Sequence, residues 1–318
     1  MNRTRIIALA LALCLMAALL TGCASRPVVK IDGMNIPAGY YIYNYCMAYT
    51  QDSGTGSSDA ISNKAMENIM RYCIVEKLCK QYGIQLEALE RKAVLDNITE
   101  QMKEQGASGY KTFLSKMQLS KRQFQNLMYN AAKETKLKDY LYNDEYGAEK
   151  PTDEELYQVF CENYCCATHI LISTQKAKEQ ADYDAALKKA EEVLAKAKAG
   201  EDFAALAAEY GEDPGQDPNA GYVFPKGTMV QVFEDAAFSL EPGQMSDIVQ
   251  STYGYHIIKR NPIPMELFMQ YRDTFYTQAQ DYFYQLRLQD EASKMDIQVL
   301  DAMEKINLSS ALYYVMGY

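Results

Sequence analysis

The sequence has few basic residues for its length and very little histidine. Lysine and arginine total 32 against 42 aspartates and glutamates, so the formal net charge of the 318 residues is −10. Because phosphate binding requires clustered lysine and arginine, this balance argues against a nucleic-acid partner. The two histidines, His169 and His256, lie in apolar, strand-like runs near the two ends of residues 166–260.

The sequence also lacks metal-ligand spacing. No C-x-x-C pair occurs, and neither histidine has a ligand-like neighbour close by, so we expect no metal and no cofactor. Cys14 and Cys23 fall in the N-terminal segment, and a chain of this length does not need a disulfide scaffold. The other six cysteines are interpreted as free and mostly buried thiols, with one or more disulfides as the alternative: Cys46, Cys73, Cys79, Cys161, Cys165 and Cys166.

After the N-terminal segment the sequence contains no long apolar run. None of the later runs approaches the roughly 20 residues of a membrane-spanning helix. The N-terminus itself carries Arg3 and Arg5, then an apolar run over residues 6–20, then Leu20-Thr-Gly-Cys23. This order resembles a bacterial lipoprotein signal, with a buried N-terminal helix as the alternative. The resemblance implies a signal peptide over residues 1–22, lipidation of Cys23, and a chain anchored on the extracytoplasmic face of the cell membrane.

The N-terminal part, residues 23–150, is predicted to be mainly α-helical with one small β element. Asp32-Gly33 lies between two short apolar runs and is a strong hairpin signal, because a type I′ turn needs positive φ at both central residues. Ser120 followed by Gln123 is typical of a capping box at a helix start. Apolar spacing predicts helices from Pro37 to about Tyr49, Met66 to Gly83, Leu86 to Met102 with fraying into Gly106, and Ser120 to near Tyr146.

A second capping box, Thr152 with Glu155, marks the domain boundary. Residues 155–262 then read as a strand, two helices, an irregular loop, a short helix and two closing strands. That order predicts an α+β domain.

The C-terminal segment, residues 263–318, is too small to fold alone. A long helix is predicted first, and Met295 to Leu300 then alternate like a strand that could dock on the N-terminal hairpin. The α+β domain is therefore predicted to be inserted into a discontinuous, mainly helical domain built from both ends of the chain. The apolar stripe expected on the long helix is Phe268, Tyr271, Phe275, Ala279, Tyr282 and Leu286.

Four motifs in residues 166–259 give a specific resemblance. They are A-x-H-I-L at the start, F-x-x-L-A-x-x-Y before an acidic loop, G-x-M-V-x-x-F-E-x-A-A-F-S-L in the middle, and Y-G-Y-H-I-I at the end. This span resembles a parvulin-type peptidyl-prolyl isomerase domain, which implies a small antiparallel sheet flanked by helices. With the lipoprotein signal and the helical segments, the whole chain resembles the PrsA and SurA group of exported foldases.

The resemblance implies two groups of site residues. The catalytic group falls on His169, Asp213, Ser251 and His256. The proline pocket falls on Met229 and Phe233.

These residue types suit rotation about an X-Pro bond, whose barrier of about 18–20 kcal/mol comes from amide resonance. An apolar slot can hold the proline ring and exclude water, so the twisted amide is bound better than either planar isomer. Two neutral imidazoles sharing a hydrogen bond would shape the polarity of the site. An ionised Asp213 near the carbonyl would disfavour the charge-separated resonance form.

Each site residue also has a structural interpretation. The histidines could be satisfied core residues, Met229 and Phe233 could be ordinary core, and Asp213 could cap the turn at Pro214. Gly221 stands where the pocket leucine is expected, which should widen the slot and weaken proline binding. No lysine or arginine cluster favours phosphorylated substrates.

Two functions follow. The first is a membrane-anchored peptidyl-prolyl isomerase and foldase whose partners are unfolded or partly folded exported polypeptides containing X-Pro bonds. The second is a catalytically weak or inactive parvulin-fold holdase that binds unfolded exported chains through its tyrosine- and methionine-rich helices.

Overall fold

The computed structural model describes residues 26–52 and 56–316, and the chain divides into two compact units. The split unit combines the residues up to Lys150 with those from Gln280 onward, and the inserted unit is Pro151–Ala279. This organisation confirms the predicted α+β class, with a small-sheet domain inserted in sequence into a discontinuous helical domain. The predicted signal peptide and Cys23 lie outside the described residues. Within the described part, no helix combines the length and apolarity needed to span a membrane.

The split unit contains three short strands and several long helices. Its strands are β1 (Pro27–Ile31), β2 (Met34–Pro37) and β7 (Ile297–Val299). Its helices are α1 (Ala38–Gln51), α2 (Ser58–Gln81), α3 (Ala88–Lys116), α4 (Lys121–Tyr142) and α10 (Ser309–Val315), with a 3-10 turn at Met303–Lys305.

The strands of the split unit join both ends of the chain. Asp32 and Gly33 have φ values of 46° and 82°, as the predicted turn between β1 and β2 requires. β7 pairs antiparallel with the other side of β1, so the sheet order is β2-β1-β7. The C-terminal strand therefore docks on the hairpin as predicted.

The helices differ in detail from the predicted ones. Both sides of the Ser120–Gln123 capping box are present. The predicted interruption of the second long helix at Gly106 is confirmed, because Gly106 has non-helical φ and ψ of 73° and 163°, but α3 resumes beyond it and continues to Lys116. A glycine accepts that conformation without steric cost, so the helix bends there and resumes.

The inserted unit is a four-stranded antiparallel sheet with helices around it, and its sheet order is β4-β3-β6-β5. The capping box of Thr152 and Glu155 starts its first helix. Its strands are β3 (Tyr164–Ser173), β4 (Tyr222–Pro225), β5 (Val249–Gln250) and β6 (Gly254–Asn261). Its helices are α5 (Asp153–Asn163), α6 (Gln180–Lys198), α7 (Phe203–Tyr210) and α8 (Gln231–Ser239).

The last long helix, α9 (Met265–Ser293), contributes to both units. Phe268 and Phe275 pack against Phe160 with ring centroids 5.4 and 5.1 Å apart. The inserted unit therefore extends to Ala279, beyond the boundary at 262 that the sequence suggests.

The predicted apolar stripe on α9 was wrong at Tyr271, which is 37% exposed, and throughout its second half. Tyr282 and Leu286 are about two-fifths exposed, whereas Tyr284 and Leu288 are buried. The second half contacts a different core, which includes Ile74 and other residues of the split unit.

Replacing Phe268 with alanine tests the role of the first half of α9. Phe268 is fully buried and its neighbour Met269 is 47% exposed. We expect Phe268→Ala to lower the free energy of unfolding by about 3–5 kcal/mol, and the control Met269→Ala to change it by less than about 0.5 kcal/mol. Urea unfolding of both full-length variants measures the difference, and equal effects would contradict the packing.

Candidate active site

The pairing of β3 with β6 brings the two histidines together. In the register of these strands His169 lies opposite Ile258, and Leu171 lies opposite His256. Paired residues and residues two apart share one face of a sheet, so both imidazoles project from the same face as diagonal neighbours. Their ring centroids are 5.2 Å apart.

Each imidazole is held by a different polar partner. His169 Nε2 lies 3.0 Å from Asp213 Oδ2, and His256 Nε2 lies 2.7 Å from Ser251 Oγ. Because a carboxylate only accepts, His169 carries its proton on Nε2. Ser251 Oγ also accepts the N–H of Tyr253 at 3.0 Å, so one hydroxyl connects His256 to the turn between β5 and β6.

The expected hydrogen bond between the imidazoles was wrong. The Nδ1 atoms of His169 and His256 are both buried, and neither has a hydrogen-bond partner among the described residues. Phe233 contacts both rings, meeting each edge-on at centroid distances of 5.1 and 5.4 Å. The imidazoles are thus oriented by Asp213 and Ser251 through their outer nitrogens.

Burial keeps both imidazoles uncharged near neutral pH. Desolvation lowers the pKa of His169 and outweighs the opposing effect of Asp213. Desolvation and the neighbouring His169 lower the pKa of His256 to about 4. Neither side chain can act as a charged acid at pH 7.

The acidic loop after α7 is joined to the free edge of β3. β3 pairs with β4 only as far as Ala167, so the following residues of that edge need other partners. The Gln216 side chain supplies two of them, accepting from the N–H of His169 and donating to its carbonyl at 2.7 Å each. The N–H of Glu212 donates to the Leu171 carbonyl at 2.9 Å, and its carboxylate accepts the Ser173 N–H at 3.0 Å.

This attachment places Asp213 at the site. One carboxylate oxygen, Oδ1, accepts the Gly215 N–H at 2.9 Å, so the turn-capping interpretation describes part of its role. The other, Oδ2, contacts His169 and also accepts the Tyr222 hydroxyl at 3.2 Å. Asp213 therefore belongs to the turn and to the site at once.

A cavity of about 440 Å³ is lined in part by these polar groups. Met229, Val230 and Phe233 supply its apolar side. The imidazoles and Asp213 supply its polar side, with Tyr222 and Tyr253 also at its walls. Ser251 supports His256 without lining the cavity, while the other five predicted site residues all line it.

A buried carboxylate holds the segment that carries Met229. Glu234, in the first turn of α8, accepts the N–H groups of Gly227 at 2.8 Å, Thr228 at 3.2 Å and Met229 at 3.3 Å. These backbone hydrogen bonds lower the pKa of Glu234. The charged carboxylate thus fixes the position of the apolar wall.

The expectation for Gly221 was wrong. Its φ is 70°, and a Cβ at this position would lie 2.4 Å from the Ala167 carbonyl oxygen. Gly221 is therefore required for close approach to β3 and does not line the cavity, whose wall is formed by Tyr222. The slot is not widened there.

Sequence reasoning did not identify Gln216, Tyr222 and Glu234. Glu234 stood within the F-E-x-A-A-F motif, and Tyr222 alternates with Phe224 as strand residues do, so both left a signal in the sequence. Gln216 left none, because its amide serves the backbone of a strand more than forty residues away in sequence.

Comparison with known proteins matches this site to a family. Residues 160–261 match the model of the PPIC-type PPIASE domain. The foldase protein PrsA of Geobacillus sp. (strain WCH70) is 45% identical over 115 residues, which are 35% of this chain and 37% of that protein. The foldase protein PrsA 3 of Bacillus cereus is 29% identical over 271 residues, 80% of this chain and 86% of that protein.

The chain is also similar to proteins of known structure. The crystal structure of PrsA from Bacillus subtilis is 22% identical and covers 89% of this chain and 94% of its own, with a TM-score of 0.28. The chain spans less than half the length of the first curated relatives it matches.

The lowered imidazole pKa values predict how the site titrates. In two-dimensional NMR spectra the two histidines should give two sets of ring signals, with a titration midpoint below 6.5 for His169 and near 4 for His256. Since the unfolded chain binds these protons more tightly, the free energy of unfolding should fall as the pH drops from about 6.5 to 4. A midpoint at or above 6.5 for either ring would contradict the burial described here.

Proposed function

The chain carries a PPIC-type parvulin domain and is PrsA-like over much of its length, and on that premise we propose that it is a peptidyl-prolyl cis-trans isomerase. Its substrates are the X-Pro bonds of unfolded or partly folded exported polypeptides. The observation that carries this proposal is one cavity with an apolar wall on one side and two neutral imidazoles with a carboxylate on the other.

The apolar wall binds the proline ring. Phe233 is 5% exposed and is packed between the imidazoles and Phe224, so it is rigid. Met229 is held by Glu234 but keeps a flexible thioether side chain, which can follow the ring as the amide rotates. Water is excluded on this side, which removes the hydrogen bonds that favour the planar amide in solution.

Asp213 acts on the electron distribution of the amide. Amide resonance moves negative charge to the carbonyl oxygen, and a carboxylate nearby raises the energy of that form. Within the described part of the chain, Asp213 contacts His169, Tyr222 and Gly215, none of which is cationic at pH 7. Its charge is therefore compensated only by hydrogen bonds and is still felt in the cavity.

No covalent step is needed. The residues described along the cavity include no cysteine, and a carboxylate nucleophile would give an unproductive anhydride-like intermediate. Catalysis is assigned to desolvation and fixed dipoles, with His169, His256 and Ser251 maintaining the polar side of the cavity.

Truncating the cavity residues tests this assignment. We expect Met229→Ala to lower kcat/KM for a proline peptide by about tenfold, since a methionine wall contributes roughly 1–2 kcal/mol of apolar contact. Asp213→Ala should lower kcat/KM by about tenfold or more. Protease-coupled turnover of the full-length chain measures both, and exposed Met269→Ala is the matched control. Unchanged rates in both cavity variants would remove the enzymatic interpretation.

A holdase activity is the second candidate. It is favoured by a cavity of about 890 Å³ in the split unit, whose lining includes Met34, Tyr72, Tyr129 and Met295. Such side chains adapt to varied apolar segments. If the Met229 and Asp213 variants lost isomerase turnover but still suppressed client aggregation, both activities would be present.

We propose in addition that the chain is anchored to the extracytoplasmic face of the cell membrane through a lipid on Cys23. The order of basic residues, apolar run and Leu20-Thr-Gly-Cys23 supports this proposal. Cys23→Ser should move the protein from the membrane fraction to the soluble fraction, with Cys46→Ser as the control. A Cys23→Ser protein that still partitions with membranes would contradict the anchor.

A further inference from the structure

The edge strand of the split unit has main-chain groups with no hydrogen-bond partner among residues 26–52 and 56–316. The Leu300 N–H donates to the Val28 carbonyl at 2.9 Å, and the Asp32 N–H donates to the Asp296 carbonyl at 3.0 Å. In an antiparallel ladder the bonded positions alternate, so Gln298, opposite Lys30, also faces β1. The N–H and C=O groups of Ile297 and Val299 therefore point away from the sheet.

The side chains at the same positions are also uncovered. Val29 and Ile31 of β1 are fully buried, whereas their cross-strand partners Val299 and Ile297 are 64% and 38% exposed. Paired residues share one face of a sheet, so the apolar face that is buried in the centre continues to the edge and ends unprotected. One additional strand beside β7 would cover the exposed side chains of Ile297 and Val299.

We propose that β7 binds an extended segment of an unfolded polypeptide by strand addition. An added strand would pair with the outward groups of Ile297 and Val299, four hydrogen bonds in all, and its alternate side chains would cover the exposed apolar pair. The partner is the unfolded client, so this inference rests on the proposed function.

The chemistry of the edge defines the client segment. Main-chain pairing is independent of sequence, which suits a protein that handles many clients. Proline has no N–H and cannot form all the hydrogen bonds of an added strand. The β7 edge therefore favours proline-free segments, whereas the isomerase cavity binds segments that contain X-Pro bonds. Asp296 and Asp301 flank the strand and are exposed, so lysine or arginine beside the apolar segment should strengthen binding.

A second copy of the chain is a poorer fit to the edge. Two β7 strands would bring Asp296 and Asp301 of both copies together, and each copy has a formal net charge of −10. Pairing between copies is therefore an outcome to be distinguished by the test.

Hydrogen exchange on the full-length protein tests the proposal without any substitution. The probe is a proline-free peptide in which valine and threonine alternate between lysine-rich ends. Binding should slow exchange of the Ile297 and Val299 amides by about tenfold or more, while the Gln298 amide, already bonded to β1, changes little. A peptide in which every residue of the alternating segment is N-methylated should give no protection.

A matched pair of variants tests the donor itself. Val299→Pro removes an outward N–H without touching the β1 ladder, because proline is tolerated at edge positions. Val299→Thr keeps the N–H and the branched shape. We expect about tenfold weaker peptide binding for Val299→Pro than for Val299→Thr, with equal unfolding midpoints and unchanged turnover of a proline peptide.

The outcomes separate the two proposals. Peptide binding that is unaffected by Val299→Pro, or protection located elsewhere, would overturn the strand-addition proposal and leave isomerase turnover untouched. So would dimers that form through β7 and exclude the peptide. Absence of turnover with intact peptide protection would instead overturn the isomerase and retain the client surface.

Discussion

The site depends on one interaction, the antiparallel pairing of β3 with β6. Its register extends from Cys166 opposite Asn261 to Ser173 opposite Gly254. A shift of one residue in either strand would turn its histidine to the other face of the sheet. The imidazoles therefore meet because an unbroken ladder of eight paired positions fixes both strands, with Ile170 and Ile257 fully buried on the opposite face.

The other site groups are positioned relative to that ladder. The Gln216 amide and Glu212 continue the hydrogen bonding of β3 where β4 stops, and Asp213 lies between them. On the apolar side, Glu234 holds the backbone of Met229 by accepting N–H groups. The two carboxylates thus have different roles. Glu234 accepts backbone N–H groups and has a structural role, whereas Asp213 lines the cavity and presents its charge there.

Much of this arrangement was predictable from local signals. Capping boxes at Ser120 and Thr152 and the Asp32-Gly33 turn act within a few residues, so the sequence predicts them well. The docking of β7 on β1 followed from an unpaired hairpin that needed a partner. The predicted apolar stripe failed on α9, because the two halves of that helix contact different cores. β4 was predicted as part of an irregular loop, because it is only four residues long between Gly221 and Lys226. The contact of Gln216 with His169 and the lack of a hydrogen bond between the imidazoles depend on distances between residues far apart in sequence. Motif spacing does not specify such distances.

The central claim is that rotation of the X-Pro bond is catalysed by desolvation and fixed dipoles, with no proton transferred. The solvent deuterium isotope effect on kcat/KM tests it most directly, measured with the full-length chain and a proline peptide between pH 6.5 and 8. Neutral imidazoles and a non-covalent mechanism predict an isotope effect close to unity and a flat pH profile. A large normal isotope effect, or a rate that follows an ionisation near pH 7, would contradict the account.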